Sequence, residues 1–163
     1  LLSYADEGKA TMIYLPGFLP QQEPRITHVM PQILENLEMA HIVVTRNKDL
    51  ELIFGTKEPE ACYHDHIDFY CRSLVNIDDR CQCISYYTGK EMSTVAIPAG
   101  TCRTMLWNAG ALAGIVSEIF ARNIIPETFD APGSQLREAV LEAAAKSAIT
   151  AASTLREPWQ TIE

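Results

Sequence analysis

The strongest constraint on the fold lies between Thr11 and Thr45. Thr11-Met12-Ile13-Tyr14-Leu15 is a short apolar run stopped by Pro16-Gly17, the pattern of a buried strand entering a turn. A loop with two prolines, Leu19 to Pro24, follows it. Ile26, Val29, Met30, Ile33, Leu34 and Leu37 then recur at helical spacing, predicting an amphipathic helix over residues 26–39. Pro31 either kinks that helix or moves its start to about Met30. His41-Ile42-Val43-Val44-Thr45 is short and β-branched, hence a second strand. Strand, helix, strand in this order requires a parallel pair, because the intervening helix crosses over the sheet.

The remaining elements build on that start. Leu50, Leu52, Ile53 and Phe54 form a short apolar element closed by Gly55, whereas Tyr63 to Leu74 fits neither helix nor strand well. Cys81–Tyr87 and Met92–Ile97 are β-rich and flank Thr88-Gly89-Lys90-Glu91, a hairpin pattern. A helix is expected over 101–121 with Thr101 as its N-cap, and Gly110 and Gly114 flatten one side for close packing on the sheet. After a breaker at Asn123–Gly133, Ser134 would cap a last helix carrying Leu136, Val140, Leu141, Ala144 and Ala148, stopped by Pro158. The fold class that follows is α/β: a single domain over residues 1–163, with a small mixed sheet, a parallel βαβ start and about three covering helices. If the central hairpin dominates, the arrangement is α+β instead.

Charge and composition narrow the function. Thirteen basic residues face 21 acidic ones, a formal charge of −8, without a Lys/Arg cluster. Phosphate backbones and anionic lipid surfaces are therefore poor partners, and a soluble, acidic protein is expected. No apolar run reaches the ~18–20 residues of a membrane span, and Leu1–Glu7 lacks the basic start of a signal peptide. Five cysteines, an odd count, do not form a closed disulfide framework, which favours a reducing, cytoplasmic setting.

Three constellations could carry chemistry. Thr94–Ile97 leads through Pro98-Ala99-Gly100 to Cys102 and Arg103 at a helix start, where the helix N-terminus favours a thiolate. Gly100-Thr101-Cys102-Arg103-Thr104 resembles the nucleophile elbow of α/β-hydrolases. That resemblance implies Cys102 as nucleophile, supported by Arg103 and Thr101, with Gly17 and Phe18 offering oxyanion N–H groups. No histidine follows His66 to serve as its base.

The second constellation is His64-Asp65-His66-Ile67-Asp68 with Cys71. On a strand His64, His66 and Asp68 share one face, and on a helix His64, Asp68 and Cys71 align, so a zinc ion is the cofactor these residues would take. His-x-His-x-Asp also resembles the metallo-β-lactamase motif, although Phe69 stands where its next histidine belongs. The third runs from Leu52-Ile53-Phe54-Gly55 through the 81–97 hairpin to Ala113–Val116 and Pro126. It resembles subunits of the TRAPP tethering complex, which implies apolar surfaces for protein partners.

With no catalytic set complete, the expected function is a non-enzymatic binding or assembly module, with a protein partner or homo-oligomer and room for a small-molecule ligand. A thiol-dependent acyl-transfer enzyme at Cys102 is the alternative, and a metal-binding module around His64 and His66 the third. No Gly-rich phosphate loop or dinucleotide fingerprint is present, and the cofactor expectation apart from zinc is none.

Overall fold

The structure is a computed structural model and describes residues 10–80, 82–89, 91–101, 106–124, 126–129 and 135–155. Five strands form one sheet in chain order: β1 (Ile13–Tyr14), β2 (Ile42–Arg46), β3 (Leu74–Ile77), β4 (Cys83–Tyr87) and β5 (Met92–Ala96). The first three are parallel, pairing Ile13 with Ile42 and Val43 with Leu74. β4 and β5 continue the sheet antiparallel, pairing Val75 with Tyr86 and Ser85 with Thr94. The α/β expectation, a small mixed sheet opening with a parallel βαβ unit, describes this architecture, and the hairpin extends it rather than replacing it.

Helices cover both faces, as parallel strands require. Helix α1 (Ile26–Met39) makes the first crossover; Pro31 sits inside it without moving its start. α2 (Asn47–Phe54) leaves β2 directly and ends at Gly55, whose φ of 78° is a left-handed C-cap that glycine adopts without a Cβ clash. α3 (Pro59–Cys62) runs into a π-helical turn, Tyr63–Ile67. These elements bury Leu37, Leu50, Ile53, Tyr63 and Ile67 against Val43, Leu74 and Tyr87. On the opposite face α4 (Trp107–Ala121), the short α5 (Pro126–Phe129) and α6 (Leu136–Thr154) bury Ile115, Phe129, Leu141 and Ala148 against Ile42, Val44, Val75 and Ile84. The alternation along β2 follows from strand pleating: Ile42 and Val44 serve one core, Val43 the other.

Four local expectations are corrected. Leu74–Ile77, without a clear assignment from sequence, is the central strand. Thr101 does not cap a helix; its hydroxyl donates to the Pro98 carbonyl at 2.7 Å, and α4 begins at Trp107. Gly110 and Gly114 face α6 rather than the sheet: a Cβ on Gly114 would lie 2.7 Å from the Ala148 Cα. The breaker expected at 123–133 contains the short helix α5. Ser134 and Pro158 lie outside the described residues. Among the described residues no helix is long and apolar enough to cross a membrane.

Candidate ligand site at the carboxyl ends of the parallel strands

Because β1, β2 and β3 run the same way, their carboxyl ends open on one edge of the sheet, the place where open α/β sheets form ligand crevices. A cavity of about 280 Å³ lies there. Leu15, Pro16 and Gly17 come to it from the end of β1, Val44, Thr45 and Arg46 from β2, and Ile77 from β3. Asn108, Ala109 and Leu112 close it from the first turns of α4, and Asp49 from α2 completes it. The amino end of a 15-residue helix therefore borders the cavity, and its first turn carries no acidic residue. The positive end of the helix dipole favours an anion there.

Arg46 is the one cation among the described residues of this lining. Its Nε donates to Asp49 Oδ2 at 2.7 Å and its Nη2 to Asp49 Oδ1 at 2.6 Å, a bidentate fork. The Arg46 backbone N–H also donates to Asp49 Oδ2, at 3.2 Å. Asp49, with the charges of Asp49 and Asp79 behind it, pushes the guanidinium further towards the protonated form. The amino end of α2 is already served by carboxylates: Asp79 Oδ2 accepts the Lys48 N–H at 2.7 Å. Asp78 and Asp79 lie at the turn between β3 and β4, and both accept backbone N–H groups. Asp78 accepts the backbone N–H groups of Arg80 and Gln82, folding the β3–β4 turn.

A polar chain connects this edge to a second, wider cleft. Thr45 Oγ1 donates to Asn76 Oδ1 at 3.0 Å, Asn76 Nδ2 to Asn47 Oδ1 at 3.0 Å, and Asn47 Nδ2 to the Lys57 carbonyl at 3.0 Å. Thr45 and Asn76 are buried, and the chain satisfies both. The wider cleft, about 700 Å³, is lined by Asn47, Asn76, Ser85 and Thr94 and by acidic residues including Glu58, Glu60 and Asp78. Among the described residues it also carries Lys48, Lys57 and Arg80, so five carboxylates face three cations, a balance that suits an anionic ligand less well than the α4 end does.

The residues singled out from sequence are placed as follows. Gly17 lines the cavity beside α4. Phe18 is buried in the other core, on the α1 side. Cys102 and Arg103 lie outside the described residues. The strand before them, β5, pairs antiparallel with β4, whereas a nucleophile elbow leaves a parallel central strand.

The four metal candidates do not converge. His64 and His66 are exposed; His66 stacks on Phe54 with ring centroids 5.1 Å apart, and His64 meets Tyr63 edge-on at 5.3 Å. Asp68 accepts the Tyr63 hydroxyl at 3.1 Å, and the buried Cys71 thiol donates to the Ser73 carbonyl. The π-helical turn, with its extra residue per turn, breaks both the strand and the helix alignments. Among the described residues no three His, Cys, Asp or Glu side chains are placed to hold a metal ion.

No protein-family model and no curated protein matches the sequence. Solved structures do match. The chain is similar to aminoimidazole riboside kinase from Salmonella enterica, with a TM-score of 0.74 and 11% identity over 93% of this chain and 48% of that one. A fructokinase from Vibrio cholerae O395, solved with fructose, ADP and calcium ion bound, gives 0.67 and 14% over 93% and 46%. A PfkB protein from Polaromonas sp. JS666 gives 0.64 and 12% over 95% and 47%. The chain thus spans about half the length of these structures, and the likeness establishes a shared fold.

This comparison corrects the expected function. The neighbours are kinases and a PfkB protein, not TRAPP-like assembly subunits, α/β-hydrolases or metallo-β-lactamase-type proteins. An incomplete nucleophile–base set does not by itself argue against catalysis. Phosphoryl transfer needs little covalent chemistry from the protein and rests on positioning and charge, so a missing histidine after Cys102 says nothing against it.

Proposed function

We propose that this chain is part of a small-molecule kinase, and that the cavity between Gly17, Arg46 and Asn108 receives the phosphoryl end of its donor. The observation that carries this reading is the convergence, in one cavity, of three parallel strand ends and the amino end of α4. The fold shared with sugar and riboside kinases supports the reaction class.

The chemistry follows from the site. A transferring phosphoryl group carries charge on its equatorial oxygens, and donors that are already aimed at those oxygens stabilise it without reorganising. Here the fixed donors are the first-turn N–H groups of α4, with the Arg46 guanidinium opposite. Close packing of α4 on α6 through Gly110 and Gly114 holds the helix end in place. Thr45 and Asn76, locked in the polar chain, keep the ends of β2 and β3 in register below the cavity.

The test is phosphoryl transfer from MgATP to a panel of sugars, nucleosides and simple alcohols, followed by nucleotide release and by product mass. Transfer to at least one hydroxyl acceptor is expected. Absence of transfer to every acceptor, from ATP and from inorganic pyrophosphate alike, would overturn the reading.

A further inference from the structure

At the edge of the cavity Arg46 and Asp49 form a bidentate ion pair. A guanidinium has five N–H donors in a planar fork. Asp49 engages the Nε and one Nη2 donor, at 2.7 and 2.6 Å, on one side of that fork. The Nη1 donors and the second Nη2 donor are on the other side, and Arg46 lines the cavity. Asp49 is itself buried, fixed by the Arg46 backbone N–H and by its place in the first turn of α2. The guanidinium plane is thereby set before any ligand arrives, so little side-chain entropy remains to be lost on binding.

We propose that Arg46 is the side chain that recognises an oxyanion in this cavity, pairing its outward N–H groups with a phosphate or pyrophosphate group seated on the amino end of α4. Asp49 positions Arg46 and does not touch the ligand. Among the described residues the lining carries one positive and one negative side chain, so the helix end is what tips the balance towards an anion. The volume, about 280 Å³, fits a phosphate or diphosphate group, with the rest of a larger donor outside. This inference rests on the kinase reading only for the identity of the ligand; binding and transfer are separable.

Titration calorimetry of the protein with inorganic pyrophosphate and with ATP, at two salt concentrations, decides it. The wild type is expected to bind both, and Arg46→Gln to lose at least tenfold in affinity for both with a flatter salt dependence. Arg46→Lys should recover part of the loss, because it restores charge without the planar fork. Asp49→Asn should weaken binding several-fold while leaving the salt dependence of the wild type, as a positioning residue does. If Arg46→Gln fails to fold, Arg46→Lys carries the same test, since it keeps the ion pair with Asp49. Wild-type affinity in Arg46→Gln or in Arg46→Lys, or a wild type that binds neither anion, would overturn the proposal. Binding that depends on Arg46 without any phosphoryl transfer would leave this inference standing and remove only the kinase reading.

Discussion

Replacing Gly114 with alanine tests whether the site is held by helix packing. An ideal Cβ at position 114 would lie 2.5 Å from the Ser147 carbonyl oxygen and 2.7 Å from the Ala148 Cα. Both are backbone atoms of α6, so no side chain can rotate away. Ordinary contact begins near 3.4 Å, so α4 and α6 must separate by up to about 0.9 Å to clear the Ser147 oxygen, a gap that forfeits a quarter to a half of each contact across the seam. Overpacking of this kind costs about 1–3 kcal/mol and occasionally more, and alanine's better helix propensity returns about 1 kcal/mol. Placed at the upper end because backbone meets backbone, the net loss is about 2 kcal/mol. For a chain of this size that lowers Tm by about 4–8 °C. Differential scanning calorimetry measures it, with Gly17→Ala as control, because a Cβ at Gly17 meets nothing within 4 Å. The control should melt at or slightly above the wild-type temperature. A Gly114→Ala protein as stable as wild type would refute the packing argument, and with it the claim that α6 fixes the position of the α4 amino end.

Further outcomes follow from other parts of the structure. Asn76→Ala removes the link between Thr45 and Asn47 and leaves buried groups unpaired, an expected loss of about 1–3 kcal/mol in urea unfolding; a loss under about 0.5 kcal/mol would show that the chain is not a structural device. Burial, aided by Asp65, pushes the Cys62 thiol up to about 12, so folded protein should resist iodoacetamide at Cys62 at pH 8, with labelling only on unfolding. The same shift has a signed consequence for stability. Cys62 stays protonated when folded and ionises near pH 9 when unfolded, so its contribution is intact below about pH 9 and is lost as pH rises towards 12. Tyr63 and Tyr87, raised chiefly by burial, act in the same direction, and urea midpoints measured from pH 8 to 11 should fall; a midpoint that rose with pH would contradict these burials.

Much of the fold is legible in the sequence where the signal is local. The strand at 11–15, the helix 26–39 and the strand at 41–45 each carry their own periodicity, and their order alone fixes parallel pairing. The hairpin 81–97 is legible for the same reason, with Gly89 in its turn. Leu74–Ile77 is not, because Asn76 interrupts a run of only four residues whose burial comes from two neighbouring strands and two helix layers. The π-helical turn hides Tyr63–Ile67 from any 3.6- or 2-residue pattern.

The candidate site divides along the same line. Gly17 is visible because Pro-Gly after an apolar run marks a strand end. Arg46, Asp49 and Asn108 are not, since they meet only after β1, β2 and β3 have paired and α4 has crossed to the other face. The one local trace is an acidic residue three positions after Arg46 at a strand–helix junction, a spacing that lets a side chain reach back to the helix start. Cys102, a reactive type expected at a helix start, lies outside the described residues, and what borders the cavity is the amino end of α4.

The most direct test of the central claim is to locate the anion. In a titration of ¹⁵N-labelled protein with ATP, amide resonances of Arg46, Asn108, Ala109 and Gly17 should shift together and saturate along one binding curve. Shifts confined to Lys48, Asp79 and Arg80 in the wider cleft, or no saturable shift at all, would contradict a phosphoryl site at the carboxyl ends of the parallel strands.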